Sequence, residues 1–236
     1  MISALCALLA AEMAWHDPRY LLPLLALAAV TMLPQLLARR RMRRLLMSGD
    51  VKRVLGTWQG SIERVMYPET MAPLMAATAY AAYGWIDAAR DALDQAVKGP
   101  AWDAALEQRL FVETLLDTFE GERNAAISKA ERLVSMPMPP AGPFARARIA
   151  RLRKGLAAMA RAFAHRADEA DSHSLRAAAS ASPLIHWAMR YASAVIAIDQ
   201  GHPGEAHKLL EGAPGWPEQS AFRAFHDELT ARLAAV

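Results

Sequence analysis

Three stretches of the 236-residue chain hold side chains spaced for chemistry. In "HRADEADSH", His165, Glu169 and His173 stand four apart, the spacing at which one helix face aims its side chains at a metal ion. A turn expected just after His165, argued below, takes that imidazole off the shared face. In "GHPGEAH", His202 and His207 are five apart and begin at a turn, which suits ligation no better. "WQGSIERV" carries Ser61 with no base nearby in sequence. No glycine-rich phosphate loop, G-x-S-x-G or H-E-x-x-H occurs. The single Cys6 can form neither an internal disulfide nor a multi-cysteine zinc site. Trp58, Trp85, Trp102, Trp187 and Trp216 read as helix-packing residues, not as a ligand cage. The sequence therefore predicts no catalytic residue, no cofactor and no metal; the chain is expected to bind, not to catalyse.

The elements that must position a binding face follow from composition. Apolar residues make up 54% and charged residues 22%, and 51 alanines with few β-branched runs favour helix throughout. Charge is uneven. Residues 39 to 64 hold eight Lys/Arg against Asp50 and Glu63, while the remainder of the chain is net acidic. A nucleic-acid footprint spread over the body is not supported, and Arg146, Arg148, Arg151, Arg153, Lys154 and Arg161 lie on more than one side of their helix and are expected to be solvated.

"YLLPLLALAAVTMLPQLL", residues 20 to 37, is uncharged and is followed at once by "ARRRMRR". Eighteen helical residues cover roughly 27 Å, close to the ~30 Å hydrocarbon thickness. Arg39, Arg40, Arg41, Arg43 and Arg44 would then sit among lipid headgroups and hold that end on the cytoplasmic side. Pro23 falls in the first turn, and Pro34 is expected to kink the helix. Residues 1 to 15 are also apolar but are interrupted by Glu12; they form the first half of a short hairpin or lie at the interface beside Trp15. The expected organisation is a membrane anchor over 1–38 (main span 20–37), a first helical half over 39–134, a proline-rich linker over 135–143, and a second half with a C-terminal capping helix over 144–236.

Glycines punctuate the body. Gly49, Gly84, Gly121 and Gly201 each end one helical run and open another, at spacings of 35, 37 and 80 residues. A tight turn between helices needs a residue that tolerates left-handed backbone angles. Five residues on come Val54, Ala89, Ala126 and Ala206, and a fifth unit fits with His165 in place of glycine and Ala170 behind it. Around Gly84 the pattern extends to Ala77, Tyr80, Leu93 and Ala96; around Gly201 to Ala194, Ala197, Leu210 and Ala213. The units at Gly121 and His165 depart from it, with Leu133 where a small residue is expected and Ser174 where a bulky one is. Within the long gap, "SMPMPPAGP" cannot be helix, and beyond it Ile149, Leu152, Leu156, Met159 and Phe163 form one apolar stripe.

"TAYAAYGWIDAARDALDQAVKGP" and "ASAVIAIDQGHPGEAHKLLEGAP" resemble the tetratricopeptide repeat superfamily, whose ~34-residue helical hairpins stack into a solenoid. The resemblance covers residues 40 to 214 and implies an all-α, TPR-like α-solenoid behind an N-terminal transmembrane helix. It also implies a concave partner-binding groove lined by Met71, Leu74, Thr78 and Ala81, then Phe111, Leu115 and Phe119, then Met159 and Phe163, then Tyr191, Val195 and Ile198. Because these are mainly apolar, the expected partner is an apolar helix or peptide, or a neighbouring subunit. The function expected is a membrane-tethered scaffold or adaptor on the cytoplasmic face of a bacterial inner membrane; the alternative is a structural accessory subunit of a larger membrane complex.

Overall fold

The computed structural model describes residues 21–62 and 64–235, with side chains from residue 29 onward apart from 61 and 62. The apolar segment expected over residues 1 to 15, with Cys6 and Glu12, lies outside the described residues, as does Tyr20 at the start of the expected span. Among the described residues the protein is all-α, with twelve α-helices, one 310 turn and no strand.

The chain divides into two compact units, Met1–Arg44 and Leu45–Val236. The first is represented by α1, Leu21–Leu46, a 26-residue helix assigned without a break through Pro34. From Ala29 to Arg44 every side chain on it is exposed, including Val30, Met32 and Leu33. Among the described residues no helix is long and apolar enough to cross a membrane. The side chains of the first eight residues of α1 lie outside the described set.

The second unit holds α2 (Val51–Ile62), α3 (Pro68–Ala82), α4 (Ile86–Gln95), α5 (Pro100–Ala104), α6 (Leu106–Glu120) and α7 (Arg123–Ser135). It continues with α8 (Pro143–Phe163), α9 (Glu169–Ala181), the 310 turn Pro183–Ile185, α10 (His186–Asp199), α11 (Pro203–Leu210) and α12 (Ala221–Ala234). Prolines at the first turns of α3, α5, α8 and α11 need no amide partner there and preset the helical φ.

Helices α3–α4, α6–α7, α8–α9 and α10–α11 pack as hairpins, and α3, α6, α8 and α10 pack in succession against one another. The two sets differ in burial for a sequence reason. Helices α6 and α10 are apolar over much of their circumference, so more than half of their residues are enclosed, and α8 is enclosed along its alanine-rich second half. Helices α4, α7, α9 and α11 bury only a stripe and expose the rest. The result is an inner layer carrying the core and an outer layer covering it, with a main core that runs from Val51 to Leu229 and a smaller cluster of Ala126, Ala130, Ala157 and Ala160 between α7 and α8.

Gly49, Gly84, Gly121 and Gly201 all have positive φ, and His165 takes the same left-handed turn at φ 57°. Behind four of the five turns, the residue five positions on is enclosed: Val54, Ala89, Ala126 and Ala206 are at most 1% exposed. After His165 the face slips by one. Ala170 is exposed, and Asp171, Leu175 and Ala178 face inward instead. The cause is local: Asp168 caps α9 with a reciprocal capping box to Asp171, so this helix starts later than its counterparts. That places Leu175 where a bulky residue is needed and removes the mismatch that Ser174 presents in sequence.

Two close approaches lock the layers. A Cβ on Gly155 of α8 would stand 2.2 Å from the Ala178 Cβ, so α8 and α9 touch at a point only glycine leaves open. A Cβ on Gly84 would meet Ser220 Oγ and the backbone nitrogens of Ala221 and Phe222 at 3.2–3.3 Å. The last helix therefore begins against the turn of the α3–α4 hairpin. The Ala221 amide donates to the Gly84 carbonyl at 2.8 Å. Trp187 Nε1 donates to the Met47 carbonyl at 2.8 Å, and the Tyr83 hydroxyl to the Leu46 carbonyl at 2.7 Å.

Candidate functional site

The residues expected to line a groove do fall on neighbouring inner helices: Met71, Leu74 and Thr78 on α3, Phe111, Leu115 and Phe119 on α6, Tyr191, Val195 and Ile198 on α10. Their exposure separates them. Leu74, Leu115 and Tyr191 are fully enclosed, and Phe119 and Val195 nearly so. Met159 and Ala81, expected on the same face, are also fully enclosed. These side chains meet the chain's own atoms, not solvent. Thr78 donates to the Leu74 carbonyl at 2.7 Å and accepts from Gln108 Nε2 at 3.1 Å.

What covers them at one end is α12. Phe222 stacks on Tyr191 with ring centroids 5.1 Å apart and lies edge-on to Phe119 at 5.2 Å. Phe225 lies 5.1 Å from Phe163 and 5.8 Å from Phe119. Trp216 Nε1 donates to the Tyr191 hydroxyl at 2.6 Å, and that oxygen lies 3.2 Å from His226 Nδ1. Burial pushes the Tyr191 phenol up to about 12, so it stays neutral and available as a hydrogen-bonding group.

An open apolar cleft of about 640 Å³ lies elsewhere on the inner layer. Met71 and Phe111 line it, together with Tyr67, Ala105, Leu133 and Leu152 from the segment before α3, the α5–α6 junction, α7 and α8. Two of the expected groove residues thus border a real concavity. Its rim carries Met66 and Tyr67, which are 78% and 61% exposed. Tyr67 holds a left-handed backbone at φ 57° immediately before Pro68, and this turn sets the rim.

One wall is polar. Arg153 is 2% exposed, although it belongs to a helix whose arginines were expected to be solvated. Its Nε donates to Glu107 Oε1 at 2.9 Å, Nη1 to the Met136 carbonyl at 2.6 Å and Nη2 to the Pro137 carbonyl at 3.2 Å. Arg153 thus fixes the start of the proline-rich segment to α6 and neutralises Glu107 beside the cleft. Its neighbours Arg146, Arg148, Arg151 and Lys154 are exposed as expected. The remaining wall is apolar, which leaves the cleft suited to apolar contact with few directing polar groups.

The other chemistry-bearing residues take structural partners. His165 Nδ1 lies 2.8 Å from Asp199 Oδ2, away from Glu169 and His173, which are exposed on α9. Arg161 pairs with Asp171 across α8 and α9, with Nε 2.9 Å from Oδ2. Trp187 and Trp216 are buried and edge-on to each other at 6.1 Å, while Trp58, Trp85 and Trp102 pack half-buried around the core. Arg39, Arg40, Arg41, Arg43 and Arg44 are exposed along α1.

Sequence reasoning missed Val65, Met66, Tyr67, Ala105, Leu133 and Arg153 as cleft residues. Leu133 carried a signal, as a large residue in a slot that holds alanine in the units at Gly84 and Gly201. No protein-family model matches the chain, and no curated protein or solved structure is significantly similar to it.

Proposed function

We propose that the chain is a TPR-like interaction protein, tethered to a membrane by its N-terminal segment, that holds an apolar helix of a partner in the cleft between α3, α6 and α8. The observation that carries this reading is the solvent-open apolar cleft of about 640 Å³ bordered by Met71 and Phe111, within the ~300–1,000 Å³ range of binding clefts. Helix-in-groove recognition needs an apolar trough with exposed apolar lips, and Met66 and Tyr67 supply the lips. The left-handed turns at 35- to 44-residue intervals support the resemblance to stacked hairpins.

The tether rests on α1. Its exposed Val30, Met32, Leu33, Leu36 and Leu37 precede five exposed arginines, an order that suits acyl chains followed by anionic headgroups. The cytoplasmic face of a bacterial inner membrane is the matching location.

Affinity purification of the full chain from detergent extract, beside a Phe111→Glu variant, tests the cleft. The reading expects a partner that is recovered stoichiometrically with the native chain and lost with the variant while the variant keeps its helicity. Equal recovery by a folded Phe111→Glu chain would remove the cleft as the binding site. Flotation with phosphatidylglycerol vesicles tests the tether: replacing the five arginines by glutamine should weaken association most at low salt, and an unchanged, salt-independent profile would argue against it.

A further inference from the structure

The first half of α8 presents two faces to different surroundings. Ile149, Leu152 and Arg153 line the apolar cleft. Phe144, Ala147, Arg148, Arg151 and Lys154, at i, i+3, i+4, i+7 and i+10, share the other face, and all five are exposed. Arg146, on the side of Ile149, lies off it. Phe144 is 92% exposed, more than any other large apolar side chain among the described residues. Residues 140 to 148 are exposed without interruption, so the ring stands on a convex corner. Charge here is one-sided. From Arg132 to Ala167 the chain holds eight Lys/Arg and no Asp or Glu. Arg153 and Arg161 are committed to Glu107 and Asp171. Arg148, Arg151 and Lys154 form no ion pair among the described residues. Helix α9, packed along α8 at Gly155 and Ala178, adds the exposed Arg176 and no acid after Asp171. Like charges three residues apart on one helix repel, and an anionic surface placed opposite relieves that repulsion.

We propose that this face of α8 docks the body on an anionic bilayer, with Phe144 entering the interfacial region while Arg148, Arg151 and Lys154 meet lipid phosphates. The combination of charges and ring selects lipid. An acidic protein partner would need a pocket of matching shape to receive Phe144. Duplex nucleic acid rewards the cations but gives the ring nothing to enter. A bilayer takes both without any matched shape, because headgroups gather around scattered cations and the interface accepts the aromatic side chain. The corner is also held in advance. Pro139, Pro140 and Pro143 restrict the backbone leading to Phe144, and Arg153 binds the Met136 and Pro137 carbonyls at the start of that segment. Seating the ring therefore orders little new chain. This contact lies on the body alone, is separate from the cleft at Phe111, and does not depend on the tether through α1.

The full chain carrying Cys6→Ser and Phe144→Cys, labelled at residue 144 with the polarity-sensitive dye NBD, tests it. With phosphatidylglycerol vesicles the emission should shift to the blue and be quenched by a doxyl-labelled lipid. With phosphatidylcholine vesicles, or at high salt, it should remain that of a dye in water. Adding Arg148→Gln, Arg151→Gln and Lys154→Gln should abolish the shift. The same label at Ala231→Cys, on the exposed side of α12, should report water throughout. Flotation of the same samples separates this surface from the tether: a chain whose α1 arginines are replaced by glutamine, and which keeps the shift at residue 144, supports docking through α8 even if the tether fails. A dye at residue 144 that stays in water on phosphatidylglycerol overturns the proposal, as does a shift that survives the three glutamines or appears equally at residue 231. A labelled duplex oligonucleotide bound through the same three cations, with no shift on vesicles, would assign the face to nucleic acid instead.

Discussion

The Ser220 hydroxyl donates to the Tyr83 carbonyl at 2.6 Å, joining residues 137 positions apart, and accepts the Phe222 amide at 3.2 Å. One buried hydroxyl thus caps α12 and satisfies the carbonyl at the end of α3. Removing it leaves the Tyr83 carbonyl and an α12 amide without partners in a place water does not reach.

Ser220→Ala should therefore cost about 2 kcal/mol, combining a lost N-cap with a buried unpaired carbonyl. Urea unfolding followed by circular dichroism measures it. A loss below about 0.5 kcal/mol, the scale of an ordinary surface change, would show that the hydroxyl ties nothing together.

Gly155→Ala should destabilise by about 1–3 kcal/mol, because its new methyl meets the Ala178 Cβ at 2.2 Å in an interface with no room to shift. On helix propensity alone the same change would stabilise by roughly 1 kcal/mol. The sign of the measured effect decides between packing and propensity. Ala178→Gly in the same chain should restore much of the loss.

Arg153→Met keeps the length of the side chain and removes its hydrogen bonds to Glu107, Met136 and Pro137. Glu107 reaches solvent, so the main cost falls on the two carbonyls, about 1–3 kcal/mol. The proline-rich segment should become the first site of cleavage in limited proteolysis. An unchanged cleavage pattern would show that this segment is held by something other than the guanidinium.

Asp171 gives a pH-dependent prediction. Burial alone would raise its pKa, but the Arg161 guanidinium and the Asp168 amide more than offset this and leave it below the usual carboxylate value. The folded chain therefore keeps this carboxylate ionised to lower pH than the unfolded chain, whose aspartates titrate near ~3.9. The resulting stabilisation is complete above about pH 5 and is lost as pH falls through the folded value. Asp171→Asn should lower Tm at pH 7 and flatten its decline between about pH 5 and 3. An identical acid slope in both chains would assign the decline to other groups.

Much of the layering was legible in the sequence, because short-range periodicity records it. Glycine followed five, nine and twelve residues later by small or apolar side chains describes one stripe of an outer helix, as at Gly84 with Ala89, Leu93 and Ala96. The one-residue slip after His165 was hidden in a capping box, where Asp168 and Asp171 look like two acids among three. Gly155 gave no sign, since a glycine in an alanine-rich helix has the same appearance whether it touches a neighbour or not. The residues expected in a groove fall on neighbouring helices, yet apolar spacing cannot say whether a face meets a partner or the chain's own last helix. Nothing within thirty residues of Phe119 announces Phe222.

Contacts of Trp187 with Met47, and of Ser220 with Tyr83, join the final hairpin and its trailing helix to the first. An open-ended stack can gain or shed a unit at either terminus with little effect on the rest. Here a missing or extra hairpin would pull that seam out of alignment, so the number of units is fixed by geometry. Clipping the last twenty residues should loosen the opening turns at Gly49 and Gly84 as much as the tail itself, and the body should melt as one cooperative block instead of fraying from its tips.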